Sequence, residues 1–113
     1  MNNIYSLSGI SLEPGRGEFF DTLLRGGCGL RVERIVSHGQ VTPEGEWYDQ
    51  NQDEWVAVLE GEARLQYADG RELRLGKGDC VFLPRHEKHR VSYTSSPCFW
   101  LAVFADALQT EAS

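Results

Sequence analysis

Two residues set the chemical question for this chain. Glu54 is lodged in the apolar run Glu54-Trp55-Val56-Ala57-Val58-Leu59, and His89 heads the run His89-Arg90-Val91-Ser92-Tyr93-Thr94. Side chains of a β-strand alternate between its faces, so Glu54 shares a face with Val56 and Val58, and His89 with Val91 and Tyr93. The valines belong in a core and take the carboxylate inside with them. A buried carboxylate without a partner either costs several kcal/mol or takes up a proton. It therefore calls for a cation, an arginine or hydrogen-bond donors beside it. A carboxylate and an imidazole converging in a core form half of a transition-metal site, with Asp49 or Gln50 as a third, oxygen ligand. The same two residues also suit a hydrogen-bonded Glu54–His89 pair with no ion between them. At this level both arrangements are open.

Other reactive side chains read as scaffold. His38 ends a strand beside Gly39, and His86 lies in a loop, so both are expected at the surface. Asp53, next to Glu54, alternates outward to solvent. Lys77, Arg85, Lys88 and Arg90 cluster in sequence around His89, but Asp79 and Glu87 lie among them, which favours solvated loop charges over an anion-collecting collar. Cys28, Cys80 and Cys98 are odd in number and widely spaced with no C-x-x-C, and read as small buried hydrophobes. There is no G-x-S-x-G elbow, and the Gly-rich stretches at 15–17 and 26–29 lack the strand-to-helix setting of a phosphate loop.

The elements that must position Glu54 and His89 are short β runs separated by turn signals, with almost no helical periodicity. They are expected at 18–24, 30–37, 46–49, 54–59, 63–67, 71–75, 80–83, 89–94 and 98–104, a total of nine or ten with any in the first residues. Residues 1–17 read as an arm or edge strands and 105–113 as a short tail, the whole of 1–113 forming one domain. Asp69-Gly70 between two alternating runs predicts a two-residue hairpin turn. The fold class is all-β, a sandwich or barrel. The chain has 113 residues, 41% of them hydrophobic, enough for a core without staples, and its formal net charge of −6 argues against a nucleic-acid partner. The absence of a leader-like start or an apolar run of bilayer length predicts a cytoplasmic protein with no membrane partner.

Residues 45–104 resemble the cupins, small jelly-roll β-barrels. The family's second motif has Gly, Pro, Gly, His and Asn at fixed spacing; this chain keeps Gly78, Pro84 and His89 and departs at His86 and Tyr93. The first motif ends in Glu and, after six residues, Gly, as do Glu54 and Gly61. Its usual His-x-His falls three or four residues before the Glu, at Tyr48 and Gln50 or at Trp47 and Asp49, and neither choice supplies a histidine. The resemblance therefore implies a single-domain cupin jelly-roll barrel with a degenerate first motif. It further implies a small-molecule ligand and a nonstandard divalent-metal site (Zn, Fe, Mn or Ni) using Glu54, His89 and Asp49 or Gln50. Trp47, Tyr48, Val56 and Tyr93 are the expected pocket wall, and a homodimer through the arm residues Ile4, Leu7, Ile10 and Leu12 the expected assembly. Metal-dependent dioxygenase or isomerase chemistry on a small polar substrate is the enzymatic expectation. The rivals are a metal-free binding or sensor cupin and a structural dimeric domain without catalysis.

Overall fold

The computed structural model describes residues 3–10 and 17–111, in eight strands and no helix. They are β1 (Phe19–Arg25), β2 (Arg31–Ser37), β3 (Asp53–Glu60), β4 (Ala63–Tyr67), β5 (Glu72–Leu75), β6 (Cys80–Leu83), β7 (His89–Thr94) and β8 (Cys98–Ala105). One antiparallel sheet has the order β1-β2-β8-β3-β6 and the other β5-β4-β7. Val56, Val58, Trp100, Ala102 and Phe104 from the first sheet and Ala63, Leu65, Tyr67 and Leu75 from the second form one buried cluster, so the two sheets face each other across a shared core. This is the all-β jelly-roll architecture. No helix among the described residues is long and apolar enough to cross a membrane.

Alternation places the core as the sequence requires: in β3, Glu54, Val56 and Val58 are all buried. Three local departures matter for the site. The segment expected as a strand at 46–49 contributes a single bridge, Tyr48 to His89, closed by Tyr48 N–H to the His89 carbonyl (2.7 Å) and His89 N–H to the Tyr48 carbonyl (3.2 Å). In β7 the pairing with β4 slips between Val91 and Tyr93: Leu65 faces Val91 and Arg64 faces Tyr93, leaving Ser92 as a bulge. The extra residue inverts the alternation beyond it, so His89 and Val91 face inward while Tyr93 turns out, 40% exposed under the Arg64 guanidinium. The β4–β5 connection is a three-residue loop in which only Gly70 is left-handed (φ +96°), since Tyr67 N–H bonds to the Arg71 carbonyl and Gly70 N–H to that of Tyr67. Asp69 keeps negative φ and receives the Arg71 N–H on its carboxylate (3.0 Å), which favours this loop over the two-residue turn.

Residues 4–6 fold back on their own sheet. Arg34 donates to the carbonyls of Ile4 (3.0 Å) and Ser6 (2.6 Å), and the Tyr5 ring meets Phe99 edge to face at 5.4 Å. These contacts cover the face of β2 and β8 that carries Arg34, Val36 and Phe99, all buried. Leu12 lies outside the described residues. Residues 107–111 have no regular structure.

Candidate functional site

Between the sheets lies a cavity of about 110 Å³. Its polar lining is Glu18, Tyr48, Gln50, Glu54 and His89; its apolar wall is built largely from Phe20, Ile35, Val56, Leu65, Leu83, Val91, Trp100 and Phe104. Phe20 and Tyr48 are 55% and 40% exposed, which places them at the mouth.

Each polar group is held by an identifiable contact. Glu54 is buried, and withdrawal from water pushes its carboxyl up to about 7; a side-chain hydrogen bond with Gln50 acts in the opposite direction. His89 is buried with Nδ1 2.9 Å from the Glu87 carbonyl. A carbonyl only accepts, so Nδ1 carries the proton and the Nε2 lone pair is available. Burial holds the imidazole below its ordinary value, which keeps it neutral. The Tyr48 ring stacks on His89 with centroids 5.5 Å apart and 27° between planes. Burial, with Glu18 adding to it, raises the Tyr48 phenol above its usual range.

Glu18 is a site residue that sequence reasoning missed. It lies immediately before β1, inside a polar stretch with no motif. The β1–β2 register brings it to Ser37, whose hydroxyl donates to the Glu18 carboxylate and accepts the Trp100 indole N–H at 3.0 Å. Desolvation raises the Glu18 carboxyl as well. The one available signal was its spacing: Glu18 shares a face with Phe20 if the first run is a strand.

Of the expected site residues, Tyr48, Gln50, Val56, Glu54 and His89 come together on the cavity. The structure thus resolves the spacing ambiguity ahead of Glu54 in favour of Tyr48 and Gln50. Trp47 and Asp49 project elsewhere: Trp47 is exposed, and the Asp49 carboxylate lies 2.8 Å from His86 Nδ1. Tyr93 leaves the wall through the Ser92 bulge. Glu54 takes Gln50, rather than His89, as its side-chain hydrogen-bond partner.

Asp53 is not solvated. It is 7% exposed and accepts the backbone N–H of Arg85 (2.8 Å) and of Leu108 (2.9 Å), and these bonds, led by Leu108, hold its carboxyl below the usual range. Sequence alternation failed there because the chain beyond β8 returns over that face. His86 is exposed as expected, in a left-handed backbone (φ +63°), and His38 is held by Gln40. Lys77, Arg85 and Arg90 disperse to Glu60 (3.3 Å), Asp53 (3.6 Å) and Gln66 (2.9 Å) respectively, so they form no collar. Only Cys98 is buried, its thiol pushed up to about 12 by desolvation; Cys28 and Cys80 are exposed turn and edge residues. A wider groove of about 550 Å³ runs outside the sheet along Trp55, Phe82 and residues 108–111, without a histidine in its wall.

Fold and site together define a small β-barrel with an internal cavity carrying one motif histidine and one motif glutamate. The family model of the cupin domain matches residues 32–104, and the chain belongs to the cupins. A structure from Ralstonia eutropha JMP134, described as a candidate mannose-6-phosphate isomerase, is 37% identical over 95% of this chain and 98% of its own, with a TM-score of 0.83. A cupin superfamily protein from Desulfitobacterium hafniense DCB-2 (15% identity, 87% and 84% covered, TM-score 0.70) shares the fold. So does the DMSP lyase DddQ of Ruegeria pomeroyi DSS-3 (23% identity, 84% of this chain and 50% of that one, TM-score 0.67). No curated protein is significantly similar to the chain.

Proposed function

We propose that this cupin binds a small molecule inside its barrel and presents Glu54 and His89 to it as a proton donor and a proton acceptor, without a resident divalent metal. The observation that carries the reading is the joint placement, in one cavity, of a carboxyl poised near neutrality and a neutral imidazole with Nε2 available. The family's usual metal is a poor fit to these donors. Among the described residues no three of His, Cys, Asp and Glu gather as a metal-holding group. Asp49 is turned to His86, and Gln50 is a neutral amide already bonded to Glu54. Dioxygenase chemistry finds little support in that donor set. Proton transfer of the isomerase kind needs only an acid and a base, and a relative at 37% identity carries an isomerase description. Self-association is also proposed, through β1: it is an edge strand of its sheet and exposes Phe20, Leu23 and Leu24.

The test is metal content of protein made without a histidine tag, together with melting in the presence of a chelator. The expected result is well under one divalent ion per chain and an unchanged melting temperature. One ion per chain, whose removal lowers the melting temperature and whose uptake requires His89, would overturn the metal-free reading.

A further inference from the structure

We infer that the cavity is shaped and charged for a small organic cation, an alkylammonium of about five to seven heavy atoms, rather than for a phosphorylated sugar. This rests on the reading of the cavity as a ligand site and goes beyond it to the class of ligand. Charge is the first ground. Two carboxyl groups, Glu18 and Glu54, line the cavity, and no lysine or arginine does. The arginine that acts on Glu54 from outside the wall is Arg31, and its guanidinium is already committed. Its Nε lies 2.9 Å from Glu33, its Nη1 donates to Gln52 at 3.2 Å, and its plane rests on the Phe104 ring at 4.3 Å. Above pH 7, where Glu54 is mainly ionised, a phosphate ester would face that carboxylate in a poorly screened space with no counter-cation in the wall, and like charges repel there.

The wall gives the second ground. Phe20, Tyr48, Trp100 and Phe104 present aromatic surface around the carboxyls, and an alkylammonium is attracted both to ring faces and to a carboxylate. Size gives the third. A buried apolar cavity of roughly 150 Å³ takes up benzene, so about 110 Å³ accommodates a compact body of that order or smaller, and a hexose phosphate would have to extend out through the mouth past Phe20 and Tyr48. The acceptors are also fixed in advance: Ser37 bridges Trp100 to Glu18, and the Glu87 carbonyl orients His89 with Nε2 as an acceptor.

The experiment uses three probes with one tert-butyl body: tert-butylammonium, tert-butanol and pivalate, with mannose 6-phosphate as the fourth. Binding to the full chain is followed by calorimetry and by the NMR signal of the Trp100 indole N–H. Tert-butylammonium should bind at least about tenfold more tightly than tert-butanol, with pivalate and mannose 6-phosphate undetectable. Glu54 shares its surroundings with Gln50, Glu33 and Arg31, and its cavity with Glu18, Tyr48 and His89. A carboxyl titrating at about 7 is roughly one-tenth ionised at pH 6 and nine-tenths at pH 8, so affinity for the cation should rise about tenfold over that interval. Glu54→Gln should flatten this rise, and Glu18→Gln, checked for folding by circular dichroism, should weaken cation binding independently. Equal affinity for tert-butanol, or preference for pivalate or mannose 6-phosphate, overturns the cation inference and leaves a ligand cavity standing. No response of Trp100 to any of the four overturns the ligand cavity as well.

Discussion

Glu54→Gln should make the protein more stable at pH 8 and leave it little changed at pH 4. The native carboxyl titrates at about 7, against an ordinary 4.5 in the unfolded chain, because burial opposes its ionisation. Between those values the native state holds a proton that the unfolded state has released, so stability falls as pH rises from 4.5 to about 7 and then levels off. A difference of that size corresponds to about 3 kcal/mol, or roughly 10 °C in melting temperature for a domain of this length. The amide of glutamine keeps the shape and cannot ionise, so the variant lacks this descent. His89 works the other way: its pKa is lowered from 6.5, so its contribution is lost as pH falls through 6.5 towards the folded value. Taking the difference between variant and parent removes the His89 part. The assay is thermal unfolding followed by tryptophan fluorescence at half-unit steps from pH 4 to 8.5. Parallel curves for the two proteins across pH 4.5 to 7 would refute the burial of an ionisable Glu54.

Ser37→Ala strands the buried Trp100 indole N–H without its acceptor, and should cost about 1–3 kcal/mol by chemical denaturation; a neutral substitution would dismiss the Trp100–Ser37–Glu18 chain. Gly61 has φ +93°, and a Cβ there would lie 2.6 Å from the Pro97 carbonyl oxygen and 2.5 Å from Ser95 Oγ. Gly61→Ala should therefore lower stability by at least about 2 kcal/mol, and an unchanged denaturation midpoint would contradict the turn geometry. Sedimentation at micromolar concentration should report a dimer for the parent and a monomer for Leu24→Glu on the β1 edge; a parent that stays monomeric removes the β1 association.

Much of the fold was legible because alternation and turn chemistry are local. Glu54, Val56 and Val58 go inside together, and eight of the nine numbered runs coincide, within a residue or two, with observed strands, 46–49 being the exception; the hairpin arms contribute two of them. The site was legible where it rests on one strand's phase, as for Glu54 and His89. It was obscured where a neighbour decides. The Ser92 bulge that expels Tyr93 exists only in the pairing of β7 with β4, and nothing in the local run announces it. Asp53 is covered by chain beyond β8, and Asp49 is drawn off by a histidine 37 positions away. Glu18 reaches the cavity because β1 pairs with β2 in the register that sets it opposite Ser37, which the two runs and the Gly-rich stretch between them do not specify by themselves.

The tryptophans give the most direct test of the internal site. Trp100 lines the cavity, Trp55 lines the outer groove, and Trp47 stands exposed outside both. Screening a small-fragment collection against protein with assigned indole N–H signals reads all three at once. Binders should shift Trp100 together with the His89 ring signals, and His89→Ala should remove the response. Shifts confined to Trp55 would place ligand binding on the outer face of the sheet and contradict an internal ligand site.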